Sequence, residues 1–585
     1  MSRKQRIIVS ITGIILVSLI LIGLTYAYFL TKIKGNSNTK SISVTTANLL
    51  LEYADINDEL ISDSKVEPGK SWTKTFVATN KGNKTVTYGV ALENVVNQLE
   101  RKEDLVYTLE CKQYLKSGLN IDTTNKTVTG TISGTCNGVS AETTFPSIGT
   151  ILVQNDIADD KAQVYTLTIT YKETNTDQSV DMNKTFSAKA NIVDPNTFSP
   201  YGEGTLASAI YKSAETATTN SDTTRTTMGT TVTEFTSLSG ENEHVLNNAP
   251  DDYGTSYYFR GNVKDNYVTF ADKKWRIVRI NGDGTVRLIL DDVAKDSSGT
   301  VIKTSFNPSS NDNAYVGYMY GMTGQTSSNT NQCIKLNSAG TVAEVDTTNT
   351  TESACTSAGY KWTTTPYDAT HVNVVESTVK KSLDTWYENN IKTNYSDYIA
   401  DTLFCNDKTL ASNGIGGVST QYGYGTNKTF YASNARLQYS SGTTSITTVK
   451  PTFKCAESAT NTYSRYTVDV ATLANGNKTN GDLTYPIGLL SADEVSFAGA
   501  YKYNQTNKTY YLYNSSITSS WWLSSPFSYN GSNAYGWYVS YSIGSIYSIY
   551  VSNSIAFRPS VNLKADVMID SGDGTSSNPY TLKLQ

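Results

Sequence analysis

Apolar and polar positions alternate through much of the first third of the chain. Val86, Tyr88, Val90 and Leu92 alternate with Thr85, Thr87, Gly89, Ala91 and Glu93. Tyr165, Leu167, Ile169 and Tyr171 alternate with Thr166, Thr168, Thr170 and Lys172, and Phe186, Ala188, Ala190 and Ile192 repeat the pattern. A period of two with one polar face predicts half-buried antiparallel strands. Many short strands with little helical periodicity predict a β-sandwich over residues 36–196. Asn80-Lys81-Gly82-Asn83, between two such runs, reads as a hairpin connection.

The pattern differs on either side of this region. Arg3, Lys4 and Arg6 precede an apolar run from Ile7 to about Leu30, so residues 1–31 read as one segment. As a helix it is long enough to cross a bilayer, and its basic start predicts a cytoplasmic N-terminus with an exported remainder. Two readings stand: an uncleaved signal anchor, favoured by the length of the run, or a signal peptide cut after Ala27, with Thr25 and Ala27 as its small residues. Residues 197–245 are rich in Thr and Ser and read as a flexible connector, with a short helix at Leu206–Tyr211.

From residue 246 onward, strand and helix signals mix, which predicts an α+β domain over 246–585. Trp275 to Ile280, the turn Asn281-Gly282-Asp283-Gly284, and Thr285 to Leu290 read as strand, tight turn, strand. Val379, Leu383, Trp386, Tyr387 and Ile391 recur at helical spacing, with Ser377 near the N-cap. Ser491 and Glu494 form a capping box that opens a shorter helix, and Gly499 suits its end. The chain as a whole is thus expected to be multidomain and β-rich.

Composition narrows the function. The 585 residues carry a net charge of −5 and only 17% charged side chains, while Tyr occurs 41 times. Nucleic-acid binding needs clustered Lys and Arg, which are missing, so no nucleic-acid partner is expected. His244 and His371 are the only histidines, which excludes HExxH zinc sites and disfavours Ser-His or Cys-His catalysis. No phosphate-cradling GxxxxGK[ST] or GxGxxG occurs. No catalytic residue, metal or cofactor is assigned. Asp283-Gly284, and Asp570 and Asp573 beside Gly572 and Gly574, read as turns rather than calcium ligands. The six cysteines fall into neighbouring pairs: Cys111 with Cys136, Cys333 with Cys355, and Cys405 with Cys455. Sequence alone leaves fifteen pairings open. With no CxxC, extracellular structural disulfides are the expectation.

The C-terminal region holds the candidate site. The thirty residues from Phe527 to Ala556 contain no Asp, Glu, Lys or Arg, and Ser, Tyr, Ile and Asn supply 21 of them. Gly544 divides two strand-like runs, 534–542 and 545–551. Tyr offers a large amphipathic contact area at low entropy cost, and Ser offers adaptable hydrogen bonds. The expected binding face has Tyr535, Tyr538, Tyr541, Tyr547 and Tyr550 as anchors, with Ser540, Ser542, Ser545, Ser548, Ser552 and Asn553 as polar contacts. Trp537, Val539, Ile546 and Val551 are assigned to the core, and Trp521, Trp522 and Arg558 to the scaffold. Fourteen positions (535, 538, 540–543, 545, 547–550, 552, 553 and 555) hold only Tyr, Ser, Ile or Asn. Codons for Tyr, Ser and Ile (TAY, AGY, ATY) each lie one adenine change from the Asn codon AAY. Adenine-directed mutagenesis of an Asn-rich template produces this spectrum and excludes Lys, although Thr, also reachable, is absent from the window.

Two resemblances add expectations. Thr25-Tyr26-Ala27-Tyr28-Phe29, Val44 to Tyr53, and Phe76-Val77-Ala78-Thr79-Asn80-Lys81-Gly82-Asn83 resemble the camelysin and TasA-like exported matrix proteins of Gram-positive bacteria. Trp521-Trp522-Leu523-Ser524-Ser525-Pro526, the Tyr/Ser segment around Gly544, and Phe557-Arg558-Pro559 resemble the variable segment of C-type-lectin-like domains targeted by diversity-generating retroelements. Those domains are related in fold to formylglycine-generating enzymes. Tyr257 to Gly261, Trp275 to Leu290, Tyr485-Pro486-Ile487-Gly488 and Ser491 to Glu494 resemble the same group. The resemblances imply a cell-surface adhesin that binds a protein or glycan and meets the membrane through its N-terminal helix. The alternative is a matrix or fibre protein that self-assembles through the sandwich. A formylglycine-type enzyme would need paired active-site cysteines or copper, and these cysteines are spaced for disulfides.

Overall fold

The computed structural model describes residues 31–35, 51–56, 68–97, 99, 101–146, 148–181, 186–195, 198–231, 244–324, 332–336, 342–346, 348–363, 370–411, 423–437, 450–455, 462–473, 476–502 and 506–584. The expected membrane or signal helix and the Ala27 cleavage point lie outside these residues. Among the described residues no helix is long and apolar enough to cross a membrane. The chain forms two compact units, Met1–Glu203 and Gly204–Gln585. Both are β-rich and built from several sheets.

In the N-terminal unit the strands are β1 (Thr31–Gly35), β2 (Leu51–Asp55), β3 (Ser71–Asn80), β4 (Val86–Asn97), β5 (Leu105–Leu115), β6 (Thr150–Ile157), β7 (Lys161–Tyr171) and β8 (Phe186–Val193). One sheet has the order β1-β8-β4-β6. The other runs β2-β3-β7-β5, with Ile132–Thr135 and Val139–Thr144 both pairing with β5. The alternating apolar positions of both sheets meet in one core, which includes Phe76, Tyr88, Val90, Leu92, Tyr165, Leu167, Ile169, Phe186 and Ile192. Burying each aliphatic or Phe side chain contributes about 2 kcal/mol. The buried phenols stay satisfied: the Tyr88 hydroxyl lies 2.7 Å from that of Tyr165, which accepts from Asn155 Nδ2 at 2.8 Å.

The Asn80–Asn83 connection differs from expectation. β3 and β4 belong to different sheets, so this segment is a corner between layers and not a hairpin. The Asn80 side chain builds the corner. Its Nδ2 donates to the carbonyls of Lys84 (2.8 Å) and Ile157 (2.9 Å), and its Oδ1 accepts from Gly82 N at 2.8 Å. Such local side-chain bonds compete with ladder pairing.

The expected connector also needs correction. Thr205 caps a helix α1, Leu206–Thr219, which buries Leu206, Ala207, Ile210, Ala214 and Ala217. Thr227–Thr231 then pairs in parallel with β9 (His244–Pro250). Residues 205–231 therefore belong to the C-terminal unit. Only its first part, Leu206–Tyr211, was expected, because three of these five buried residues are alanine and the rest of the helix is rich in threonine.

The large sheet of this unit contains β9, β10 (Thr255–Gly261), β11 (Tyr267–Phe270), β12 (Lys273–Ile280) and β13 (Val286–Leu290). β12 and β13 form the expected hairpin, closed by Asn281 N to Thr285 O at 2.8 Å. α2 (Thr378–Asn390) is capped by Ser377 and buries Val379, Leu383, Trp386 and Tyr387. α3 (Ala492–Phe497) opens on the complete Ser491–Glu494 capping box. The second oxygen of Glu494 reaches into the core, where it meets Arg287 at 3.0 Å and Arg279 at 3.3 Å. Desolvation raises the Glu494 carboxyl, but Arg287 and Arg279 more than offset this and hold it below its ordinary range. The structure joins Cys111–Cys136, Cys333–Cys355 and Cys405–Cys455 as disulfides.

Candidate ligand-binding face

The C-terminal segment forms the end of a second sheet: β14 (Trp521–Tyr529), β15 (Ala534–Val539) and β16 (Ile546–Tyr550), in that order. β14 is the most deeply held. Buried Trp522 donates its indole N–H to Thr304 O at 2.9 Å. The Arg558 guanidinium is fully buried over the Trp521 ring and donates to Leu290 O (2.8 Å) and Leu512 O (2.7 Å). Its pKa is drawn down to about 10 by desolvation, against the pull of Asp291. β17 (Ser560–Leu563) follows and pairs with β13, linking the segment to the large sheet. Trp537 on β15 donates to Ser433 Oγ at 3.1 Å. Trp521, Trp522 and Arg558 are scaffold, and Trp537, Val539, Ile546 and Val551 are core, each almost fully buried.

Between β15 and β16 the chain turns tightly. Ser540 N donates to Ser545 O (3.0 Å) and Gly544 N to Ser540 O (2.8 Å). Gly544 has φ +75°, and a Cβ there would sit 1.7 Å from Asn507 O. The turn is pinned from outside by Asn507 N to Ile543 O at 2.7 Å and by the Tyr510 hydroxyl to Gly544 O at 2.8 Å.

Exposure sorts the residue types between 534 and 556. Ala534, Gly536, Trp537, Val539, Gly544, Val551 and Ala556 are all buried. The Tyr, Ser, Ile and Asn positions are solvent-accessible except Ser540, Ser545 and Ile546. Tyr541 (46% exposed) and Tyr550 (41%) are the most open of the large side chains. Ser542, Ser552 and Asn553 are exposed, while Tyr535, Tyr538, Tyr547 and Ser548 are half-buried.

Two corrections to the predicted site follow. Ser540 and Ser545 are 8% and 0% exposed, so they close the turn and do not offer contacts. The remaining residues also do not share one surface. The unbroken register Tyr535↔Tyr550 to Val539↔Ile546 pairs Tyr535 with Tyr550 and Tyr538 with Tyr547. Positions three apart on a strand point to opposite faces. Tyr535 and Tyr550 (centroids 4.8 Å apart) therefore lie on one face, and Tyr538 and Tyr547 (6.3 Å) on the other. Tyr541 and Ser542 cap the tip.

Sequence reasoning missed two members of the Tyr535–Tyr550 face. Phe527 is partly exposed and meets Trp537 edge-on at 4.8 Å and Tyr535 at 6.5 Å. Lys502 places its ammonium 4.4 Å from the Phe527 ring and 5.5 Å from that of Trp537. Desolvation lowers the Lys502 pKa to about 8. The face thus gains a cation from outside a segment that carries no charge of its own. Only the Trp537 and Phe527 rings could have signalled it, and they do not specify which lysine arrives. Burial, with the Tyr550 hydroxyl, pushes the Tyr535 phenol up to about 12, so it remains a neutral donor and acceptor. Comparison with protein-family models and with curated proteins returned no match.

Proposed function

We propose that the chain is a binding protein displayed on a Gram-positive cell surface. Its N-terminal segment anchors or exports it, and its N-terminal unit is a TasA-like sandwich that acts as a spacer. Its C-terminal unit is a C-type-lectin-like domain that binds a protein or glycan through residues 535–555. Binding needs no cofactor, and the function is adhesion, not catalysis. The observation that carries this reading is the sorting by exposure. Accessible positions of the segment hold only residues one adenine change from Asn or Asn itself, whereas every other residue type there is buried. The same accessible positions, which include the half-buried Ile543, Ile549 and Ile555, carry no charged side chain.

The test is population sequencing of codons 521–563 in the source organism. Adenine-confined changes at the accessible positions, with Gly544 and the flanks constant, support a diversified face. An invariant segment refutes diversification and leaves an adhesin of fixed specificity. Concentration-dependent polymers of the purified protein would favour the matrix-fibre alternative.

A further inference from the structure

Away from this face, Lys408 lies just beyond the strand pair Phe404–Cys405 and Arg465–Tyr466. Its side chain is fully buried. Nζ donates to the main-chain carbonyls of Met319 (3.0 Å) and His371 (2.9 Å), and to Asn373 Oδ1 at 2.7 Å. The Asn373 carboxamide is itself gripped from two further directions. Its Oδ1 also accepts from the Tyr466 hydroxyl at 2.7 Å, and its Nδ2 donates to Asp482 Oδ2 at 2.7 Å. His371 and Tyr466 are fully buried, and the Tyr318 ring stands edge-on to Tyr466 at 5.4 Å.

The cluster contains each group that acyl transfer to an amine requires. An amine rests against a carboxamide. A phenol O–H points at the oxygen on which negative charge develops. A carboxyl touches the nitrogen that must depart. Three acceptors already satisfy the lysine, whereas the Tyr466 hydroxyl and the Asp482 carboxyl bear on the Asn373 carboxamide, where acyl transfer needs them. Fixed proximity also replaces a bimolecular encounter with an internal one.

We propose that Lys408 and Asn373 become joined by an intramolecular isopeptide bond, with Asp482 carrying the proton and Tyr466 stabilising the oxyanion. Its three donated bonds make Lys408 Nζ an ammonium, so it first loses one proton to solvent; the freed amine then attacks Asn373 Cγ, and the oxyanion forms on Oδ1 against the Tyr466 hydroxyl. Asp482 passes a proton from the attacking nitrogen to Nδ2. The Cγ–Nδ2 bond then breaks and ammonia leaves. Amine plus primary amide gives secondary amide plus ammonia, with nothing oxidised or reduced. The cross-link would tie the segment before α2 to the segment after Cys405. Unlike the neighbouring Cys405–Cys455 bridge, it would survive reduction. The proposal is independent of which ligand the protein binds.

The experiment is peptide mapping of the purified, reduced full-length protein by mass spectrometry after trypsin digestion. A branched peptide is expected, joining the Asn373 and Lys408 segments, lighter than their sum by one ammonia, about 17 Da, and uncut after Lys408. Separate linear peptides, with cleavage after Lys408, would overturn the proposal without recourse to any variant. In Asp482→Asn the linear peptides are expected from protein with unchanged near-ultraviolet circular dichroism. Full cross-linking in that variant would overturn the role given to Asp482.

Discussion

Gly544 is the position where backbone geometry and the candidate site meet, and Gly544→Ala has a cost that can be worked out. The first contribution is conformational. At φ +75° an L-residue is disfavoured by about 1–2 kcal/mol. The second is steric. A Cβ 1.7 Å from Asn507 O, with a Tyr513 ring carbon at 3.1 Å, cannot be accommodated without moving the 507–513 loop. That movement breaks the Asn507 N–Ile543 O and Tyr510–Gly544 O bonds, each worth about 1 kcal/mol. The expected loss is therefore about 3–4 kcal/mol, measured by urea unfolding with tryptophan fluorescence. Trp521, Trp522 and Trp537 report on this sheet. Amide hydrogen exchange at residues 540–546 should accelerate in parallel. Ser542→Ala, two residues away but exposed, should stay within about 0.5 kcal/mol of wild type. A loss below about 1 kcal/mol for Gly544→Ala, with exchange unchanged, would refute the claim that the tip requires glycine.

Other expectations concern the scaffold. Glu494→Gln leaves Arg279 and Arg287 buried without their shared carboxylate and should cost about 3–5 kcal/mol in chemical denaturation. Because the folded Glu494 pKa lies below the unfolded one, this contribution is complete above about pH 4.3 and fades as pH falls through the lower folded value. A variant as stable as wild type at pH 7 would contradict it. Lys502 should acylate in competitive labelling with a midpoint near pH 8, against about 10.4 for an unperturbed lysine. Its folded pKa is depressed, so stability should rise as pH climbs between those two values, and Lys502→Met should abolish that rise. A labelling midpoint above pH 10 would exclude the buried aromatic setting. Replacing both Cys405 and Cys455 by Ala opens a loop with a sequence separation of 50 and should cost about 4 kcal/mol on the chain-entropy estimate. An unchanged urea midpoint would show that other contacts already constrain the region.

How much was legible in the sequence depended on how local the controlling interactions are. The strands of the first unit follow from alternation, and the Ser491–Glu494 box and the Ser377 cap follow from near-neighbour chemistry. The corner at Asn80 was misread because turn residues mark a reversal without naming the sheet that the next strand joins. That choice is made by a bond to Ile157, far along the chain. α1 was underestimated because alanine gives a weak apolar period. At the candidate site, residue type separated the buried from the accessible positions except at Ser540 and Ser545, which the turn buries; the division of the tyrosines between two faces is fixed by register, and Lys502 arrives by tertiary packing. The Asn373, Lys408 and Asp482 cluster draws on three separated segments, so no local pattern announces it.

The order of the disulfides bears on how such a chain could be made. Each bridge joins cysteines that are consecutive along the sequence, with separations of 25, 22 and 50. If the chain is threaded outward in sequence order behind the proposed N-terminal segment, Cys136 emerges while Cys111 is the only thiol already outside. Cys355 follows Cys333 in the same way, and Cys455 follows Cys405. If oxidation keeps pace with threading, every thiol finds its native partner as the sole candidate, and the other fourteen of the fifteen pairings never arise. Slow reshuffling, which takes seconds to hours, is then unnecessary. The protein could mature at the speed of its own secretion, with an oxidant but without an isomerase.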